Sequence, residues 1–129
     1  MDNHIDLAAT PEATTKRLLT AFTDPQRIRL SDPGRPEVCN IYSIHKIFSG
    51  PDAVKTVYDE CTTATRGCVD CKRHVADSLN DYLKELRERR EEIKSKPGYV
   101  QEILHEGGKK ARAIAKETIA EVYDKMGLS

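Results

Sequence analysis

Residues 68–94 read CVDCKRHVADSLNDYLKELRERREEIK, and their pattern predicts one long helix. Apolar or thiol side chains recur there mainly at steps of three and four residues, which is the repeat of a single helix face. At a rise of about 1.5 Å per residue, the helix would be about 39 Å long. We expect it to be the central element of the fold. Its predicted stripe consists of Cys68, Cys71, Val75, Leu79, Leu83, Leu86, Arg90 and Ile93.

Shorter helices are predicted before this central one. Thr10-Pro11-Glu12 supplies an N-cap, a proline at the first helical position and an acid in the first turn. Gly50-Pro51 separates the next two helices, because proline cannot continue the first but can start the second. The predicted ranges are 11 to about 22, 40–49 and 51 to about 61.

The segment from Thr23 to Glu37 is predicted to be an extended connector, since prolines and turn-forming residues interrupt any periodic pattern. Within it, Arg27-Ile28-Arg29-Leu30 alternates briefly and could form a short extended segment. The three threonines and the glycine of residues 62–67 predict a loop whose hydroxyl groups bond to nearby backbone.

After the central helix, Lys96-Pro97-Gly98 and Gly107-Gly108 are predicted breaks. They would leave a short helix over 99–104 and a last helix over 109–126, which Gly127-Leu128 would end as a Schellman motif. The predicted fold is therefore all-α, a compact bundle of five to six helices around the long helix at about 68–94.

Length and composition indicate one helical domain over residues 1–129, with 38% apolar, 5% aromatic and 33% charged residues. The formal net charge is zero, so no overall charge attracts nucleic acid or an anionic membrane. The N-terminus lacks the features of a signal peptide, and no stretch approaches the roughly 20 apolar residues of a membrane span. We expect a cytoplasmic protein without a membrane partner.

The four cysteines of the chain follow the pattern C-x21-C-x6-C-x2-C, which indicates one shared metal site. In a reducing compartment, clustered thiols favour metal binding over two disulfides or inert core thiols. Spacing alone does not separate a four-cysteine zinc site from an iron–sulfur cluster, and zinc is the more general expectation. His74 could replace one thiolate. The predicted ligands are Cys39, Cys61, Cys68 and Cys71.

Basic residues lie beside this cysteine cluster. Arg66, Lys72 and Arg73 could contact nucleic acid, or could offset the net charge of about −2 that four thiolates around a dication would carry. The charged run over residues 84–94 is balanced and is typical of a solvated helix face with i,i+4 pairs. No phosphate-binding loop, activated nucleophile or paired-carboxylate motif is present, which argues against an enzyme active site in this chain.

Several segments resemble the C-terminal part of tryptophanyl-tRNA synthetases, the enzymes that charge tRNA with tryptophan. The resemblance runs nearly from end to end and is most specific in the last helix. It is carried by Asn3-His4-Ile5, Pro11-Glu12, residues 20–25 (TAFTDP), Asn40-Ile41-Tyr42, Glu106-Gly107, residues 110–115 (KARAIA) and residues 122–128 (VYDKMGL).

A subset of that family holds a [4Fe–4S] cluster near its anticodon-docking surface, and the resemblance carries this role to Cys39, Cys61, Cys68 and Cys71. It makes iron–sulfur the favoured cofactor, with Zn the alternative. The resemblance also implies that the chain is an anticodon-binding domain. Its expected partners are the tRNA for tryptophan and the catalytic domain of the same enzyme, and the parent enzyme could form a homodimer. The residues predicted to contact tRNA are Arg66, Lys72, Arg73, Arg27 and Arg35.

The HIGH-type motif, the KMSKS-type loop and the nucleotide-binding domain of the family are missing from this sequence. The chain is therefore expected to lack the ATP and tryptophan sites and to be inactive as an enzyme by itself. It would be an excised fragment, a split product or a free-standing relative of the anticodon-binding domain. The alternative is a stand-alone metal-binding interaction or regulatory module derived from that domain.

Overall fold

The computed structural model describes residues 4–128, so Asn3, which belongs to the first segment of the family resemblance, lies outside the described part. Within that part the structure has five α-helices, one short 3₁₀ helix and no strand, which confirms the all-α prediction. The α-helices are α1 (Pro11–Leu19), α2 (Asn40–Phe48), α3 (Pro51–Thr62), α4 (Cys68–Lys94) and α5 (Tyr99–Met126), and the 3₁₀ helix is Pro36–Val38.

Helix α1 begins as predicted, because the Thr10 hydroxyl accepts a hydrogen bond from the Ala13 N–H at 3.2 Å. It ends at Leu19, before the predicted end near Phe22. The Thr20 hydroxyl donates to the carbonyl of Arg17 at 2.8 Å and closes the last turn, which is how threonine competes with helix continuation.

The chain separates into two compact units, residues 4–88 and 89–128 of the described part. The prediction of a single domain over residues 1–129 stays a prediction. None of the helices within residues 4–128 has the length and apolar character needed to cross a membrane.

The core of the first unit is built on the predicted stripe of α4. Val75, Leu79 and Leu83 are at most 3% exposed, whereas Leu86, one turn further, is 45% exposed and marks where the buried stripe ends. Because α4 presents these side chains at helical spacing, one face of the helix packs inward along about two turns. The buried cluster consists of Leu18, Ile41, Val75, Ala76, Leu79 and Leu83.

The second unit contains the last part of α4 and the whole of α5. Gly107 and Gly108 lie inside α5, so the predicted break there is wrong. Glycine keeps its backbone N–H, and in a helix interior it lowers helix stability by only about 1 kcal/mol relative to alanine. The helix-forming residues on both sides overcome this loss. Gly127, in the left-handed region with φ of 66°, ends α5 as predicted: Leu128 N–H donates to the Tyr123 carbonyl and Gly127 N–H to the Asp124 carbonyl.

Candidate metal centre

The connector between α1 and α2 is a folded loop. Arg27-Ile28-Arg29-Leu30 forms no strand, because the backbone N–H groups of Ile28 and Arg29 donate to the Asp32 carboxylate at 3.1 and 2.7 Å and turn the chain. The predicted extended segment is therefore wrong, and the side chain of Asp32 replaces the missing backbone partner.

Asp24 and Arg35 join the two ends of this connector. The Asp24 carboxylate is 6% exposed and accepts from the Arg35 side chain at 2.6 and 3.1 Å and from the Arg35 N–H at 3.0 Å. The Gln26 N–H adds a fourth bond at 3.0 Å. These bonds hold the pKa of Asp24 well below its usual value, with the Arg35 side chain as the main cause. The pair fixes the path of the loop that reaches the cysteines.

All four cysteines line one small cavity of about 20 Å³. They come from different local structures: Cys39 precedes α2, Cys61 lies in the last turn of α3, and Cys68 and Cys71 occupy the first turn of α4. They form no disulfide and are all partly buried. The prediction that they share one metal site stays a prediction. The other residues that line the cavity are Thr23, Arg27, Ile41 and Arg66.

Gly34 lets the connector approach α3 closely. It is buried, and its N–H donates to the Cys61 carbonyl at 2.9 Å. A Cβ at this position would overlap the Cys61 sulfur, so only glycine fits without a shift of the surroundings. No local pattern predicts this contact, since the two residues are far apart along the chain.

Arg27 spans the cavity from the connector side. Its Nη1 lies 3.8 Å from the sulfur atoms of both Cys61 and Cys68, and its Nη2 donates to the carbonyls of Leu30 at 3.1 Å and Arg66 at 2.8 Å. A guanidinium held by two carbonyls is a fixed positive charge, and negative charge on the sulfurs would be stabilised by it. The sequence analysis predicted that Arg27 contacts tRNA. In the structure its guanidinium lies against the thiols of Cys61 and Cys68.

Cys71 is packed against a buried histidine. His45 is 0% exposed, and its Nε2 lies 3.2 Å from the Cys71 carbonyl oxygen and 3.5 Å from the Cys71 sulfur. Burial lowers the pKa of His45 to about 4, while burial raises the pKa of the Cys71 thiol to about 12. The ring is thereby held neutral, and Nδ1 pairs with the Ser49 hydroxyl at 2.8 Å.

The sequence analysis did not identify His45, although its spacing from Ile41 indicates a buried position. It follows Ile41 by four residues on α2, which places both on the face that the structure buries. A histidine on such a face must pair both ring nitrogens, and here serine and the backbone of Cys71 serve as partners.

The thiol of Cys61 also has a raised pKa, chiefly because of burial, while the nearby charge of Arg27 acts in the opposite direction. Buried thiols of this kind become thiolates when a bound cation replaces their protons. Within residues 4–128, no three histidine, cysteine, aspartate or glutamate side chains are arranged as ligands of a single metal ion.

The other predicted basic residues differ in what they contact. Arg66 lines the cavity and binds the Glu60 carboxylate and His74 Nδ1, and Lys72 donates to the Leu19 carbonyl at 3.0 Å. Arg73 is 63% exposed in its side chain and lies 3.6 Å from the Asp70 carboxylate. His74, the alternative ligand, is not among the residues that line the cavity.

No protein-family profile matches the chain. Individual relatives do match, and the two described here are both named Tryptophan--tRNA ligase. The relative from Aquifex aeolicus is 41% identical over 118 residues, which are 91% of this chain and 30% of the relative. The relative from Thermotoga maritima is 38% identical over 127 residues, which are 98% of this chain and 39% of the relative.

Among solved structures, the tryptophanyl-tRNA synthetase from Campylobacter jejuni, complexed with ADP and tryptophan, superposes with a TM-score of 0.85 at 33% identity. The superposition covers 98% of this chain and 39% of that structure. The chain therefore spans between 30% and 39% of the length of these relatives, while they match nearly all of it.

Proposed function

We propose that this chain, which is homologous over nearly its whole length to tryptophan–tRNA ligases, is their C-terminal tRNA-recognition region. In this proposal the chain recognises the anticodon region of the tRNA for tryptophan. The remaining part of the ligase, which the matched segment does not cover, would carry the ATP and tryptophan sites. The chain by itself would not form tryptophanyl-tRNA.

We further propose that Cys39, Cys61, Cys68 and Cys71 hold one [4Fe–4S] cluster. The observation that carries this proposal is that four thiols from three local structures line a single cavity. Thiolates are the ligands that iron–sulfur clusters require. A cluster binds each cysteine through a different iron, so its ligands stand farther apart than those of one zinc ion. Zinc remains the alternative cofactor, and it would place all four sulfurs about 2.3 Å from one ion.

The chemistry of the residues around the cavity suits such a group. The Arg27 guanidinium contacts two of the sulfurs, and the Arg66 side chain lines the same cavity, so both offset negative charge on the thiolates. The apolar side chain of Ile41, which is 0% exposed, closes another wall and excludes water. A bound cluster would supply a rigid cross-link between the connector, α3 and α4.

The surface proposed to contact RNA is the one beside the cysteines. Arg73 follows Cys71 by two residues and has the free surface that a phosphate contact needs. Arg27, Arg35, Arg66 and Lys72 are already bonded within the protein, so their proposed contribution to RNA binding is mainly to hold this surface in place.

Binding of tRNA tests the function. The chain, purified without oxygen, is titrated with transcripts of the tRNA for tryptophan and of an unrelated tRNA at several salt concentrations. We expect tighter binding of the tryptophan tRNA and weakening with salt. Arg73→Ala should reduce the salt slope by about one, whereas exposed Lys84→Ala on the same helix should leave it unchanged. Equal, weak binding of both tRNAs would contradict the proposal.

The second candidate is a metal-binding module that contacts a protein, and the zero net charge favours it. It predicts a bound metal but no preference among tRNAs. Tryptophan-dependent ATP–pyrophosphate exchange by the chain alone, which neither candidate predicts, would instead establish an independent active site.

A further inference from the structure

A groove on the outer side of α2 and α3 combines aromatic and basic side chains. Its volume is about 550 Å³, within the range of small-ligand pockets. Tyr42 and Lys46 line it from α2, and Val54 and Tyr58 line it from α3. Neither tyrosine was among the residues predicted to contact RNA. We infer that this groove holds one unpaired RNA nucleotide, with the base against the tyrosines and the phosphate at Lys46; the inference rests on the proposed function.

The two tyrosine rings form an open wedge. Their centroids are 5.9 Å apart and their planes are inclined by 55°, so they do not stack face to face on one another. Tyr58 is 38% exposed, which leaves ring surface available to a ligand. Proteins bind unpaired bases by stacking them on aromatic rings of this kind. Pro51 and Val54 add apolar contact beside the rings.

The charged groups at the groove are two lysines and the Glu37 carboxylate, which interacts with the Tyr58 hydroxyl, and they leave one cation for a single phosphate. Lys55 lines it but is paired with Asp59 at 2.9 Å. The Lys46 ammonium lies 5.4 Å from the centre of the Tyr42 ring and takes part in no ion pair within residues 4–128. Such a cation beside two aromatic rings fits one nucleotide. An acidic peptide would require several free cations.

The groove is close to the proposed cluster site along both helices. Tyr42 follows Cys39 by three residues, and Tyr58 precedes Cys61 by three. Residues three apart lie one above the other on roughly the same side of a helix. Tyr58 therefore stands about one helical turn from Cys61, and Tyr42 lies in the first turn of α2, directly after Cys39, so a strand of RNA that contacts the cysteine surface could place its next base in the groove.

The first test compares variants of the anaerobically purified chain in binding an anticodon stem-loop of the tRNA for tryptophan. Tyr58→Ala should weaken binding about 5- to 150-fold, the range for loss of one stacked base. Tyr58→Phe keeps the ring and should bind within about twofold of wild type. Tyr123→Ala removes another half-exposed tyrosine, in α5, and serves as the matched control. Circular dichroism confirms that each variant is folded.

Lys46→Ala should lower the salt slope by about 0.7, the value for one contact on a single strand. Wild-type binding that Tyr58→Ala and Lys46→Ala leave unchanged would overturn the groove inference alone, and the proposed function would stand. Absence of any RNA binding by the wild type would instead count against the proposed function.

If the wild-type chain binds no RNA, a separate measurement still tests whether the groove binds a nucleotide. Adenosine 5′-monophosphate is added to isotope-labelled chain, and NMR shifts are followed at Tyr42, Lys46 and Tyr58. Saturable shifts at these residues would support a nucleotide site independently of tRNA. Shifts with a polyproline peptide and none with the nucleotide would overturn it in favour of peptide recognition, and shifts with neither would overturn it outright.

Discussion

Replacing Gly34 by alanine would place a methyl group against the Cys61 sulfur, at the point where the connector meets α3. The added Cβ would overlap that sulfur, and it would lie 3.4 Å from the Arg27 side chain on another side. The connector must therefore move, which also strains the hydrogen bond from the Gly34 N–H to the Cys61 carbonyl.

The magnitude follows from overpacking a buried position, which costs about 1–3 kcal/mol. Loss of the hydrogen bond would add about 1 kcal/mol. For a folded unit of the size of residues 4–88, each kcal/mol lowers the melting temperature by roughly 4–8 °C. Since the shift displaces one proposed ligand, we also expect Gly34→Ala to retain less metal than wild type.

Chemical unfolding followed by circular dichroism measures the free energy, and metal content per chain is measured on the same samples. Gly50→Ala is the matched control, because a Cβ there has no neighbour within 4 Å and the residue has an ordinary φ of −64°. It should lower the stability by no more than about 1 kcal/mol, because alanine is a poorer N-cap of α3 than glycine. Wild-type stability and wild-type metal content in Gly34→Ala would refute the close approach between the connector and α3.

Three further outcomes are expected. Leu79→Ala should cost about 2–5 kcal/mol in chemical unfolding because it opens a cavity in the core, and Leu86→Ala, at an exposed site on the same helix, should cost less than about 1. Asp24 has a lowered pKa when folded, so its stabilisation is present above about pH 4 and is lost as pH falls below it; Asp24→Asn should flatten that acid dependence, and an unchanged pH profile would contradict the pairing. Gly107→Ala and Gly108→Ala should each raise α5 stability by about 0.5–1 kcal/mol in thermal melts, because their Cβ atoms meet no neighbour; a loss would contradict the continuous helix.

The helices could be predicted because their signals are local. The four-residue steps of Val75, Leu79 and Leu83 define a buried face before any partner is known, and Pro51 after Gly50 marks a helix start. The error at Gly107 and Gly108 arose because glycine was treated as a helix terminator, although each costs only about 1 kcal/mol in a helix interior.

The convergence of the cysteines was also predictable in part. Cys68 and Cys71 share one helical turn, so their proximity follows from spacing. The contacts of Arg27 and Gly34 with the cysteines do not, because they depend on the path of the connector. That path is set by the bonds between Asp24 and Arg35, which join positions 11 residues apart across an irregular segment. Such contacts leave no periodic pattern.

Elemental analysis with a visible absorption spectrum decides whether the four cysteines hold an iron–sulfur cluster in a tRNA-recognition region. The chain is purified without oxygen, and iron, acid-labile sulfide and zinc are measured beside a Cys39→Ser variant. We expect brown protein with about four iron and four sulfide per chain and a marked loss of both in the variant. Colourless protein with one zinc per chain, or with no bound metal, would contradict the proposed cluster.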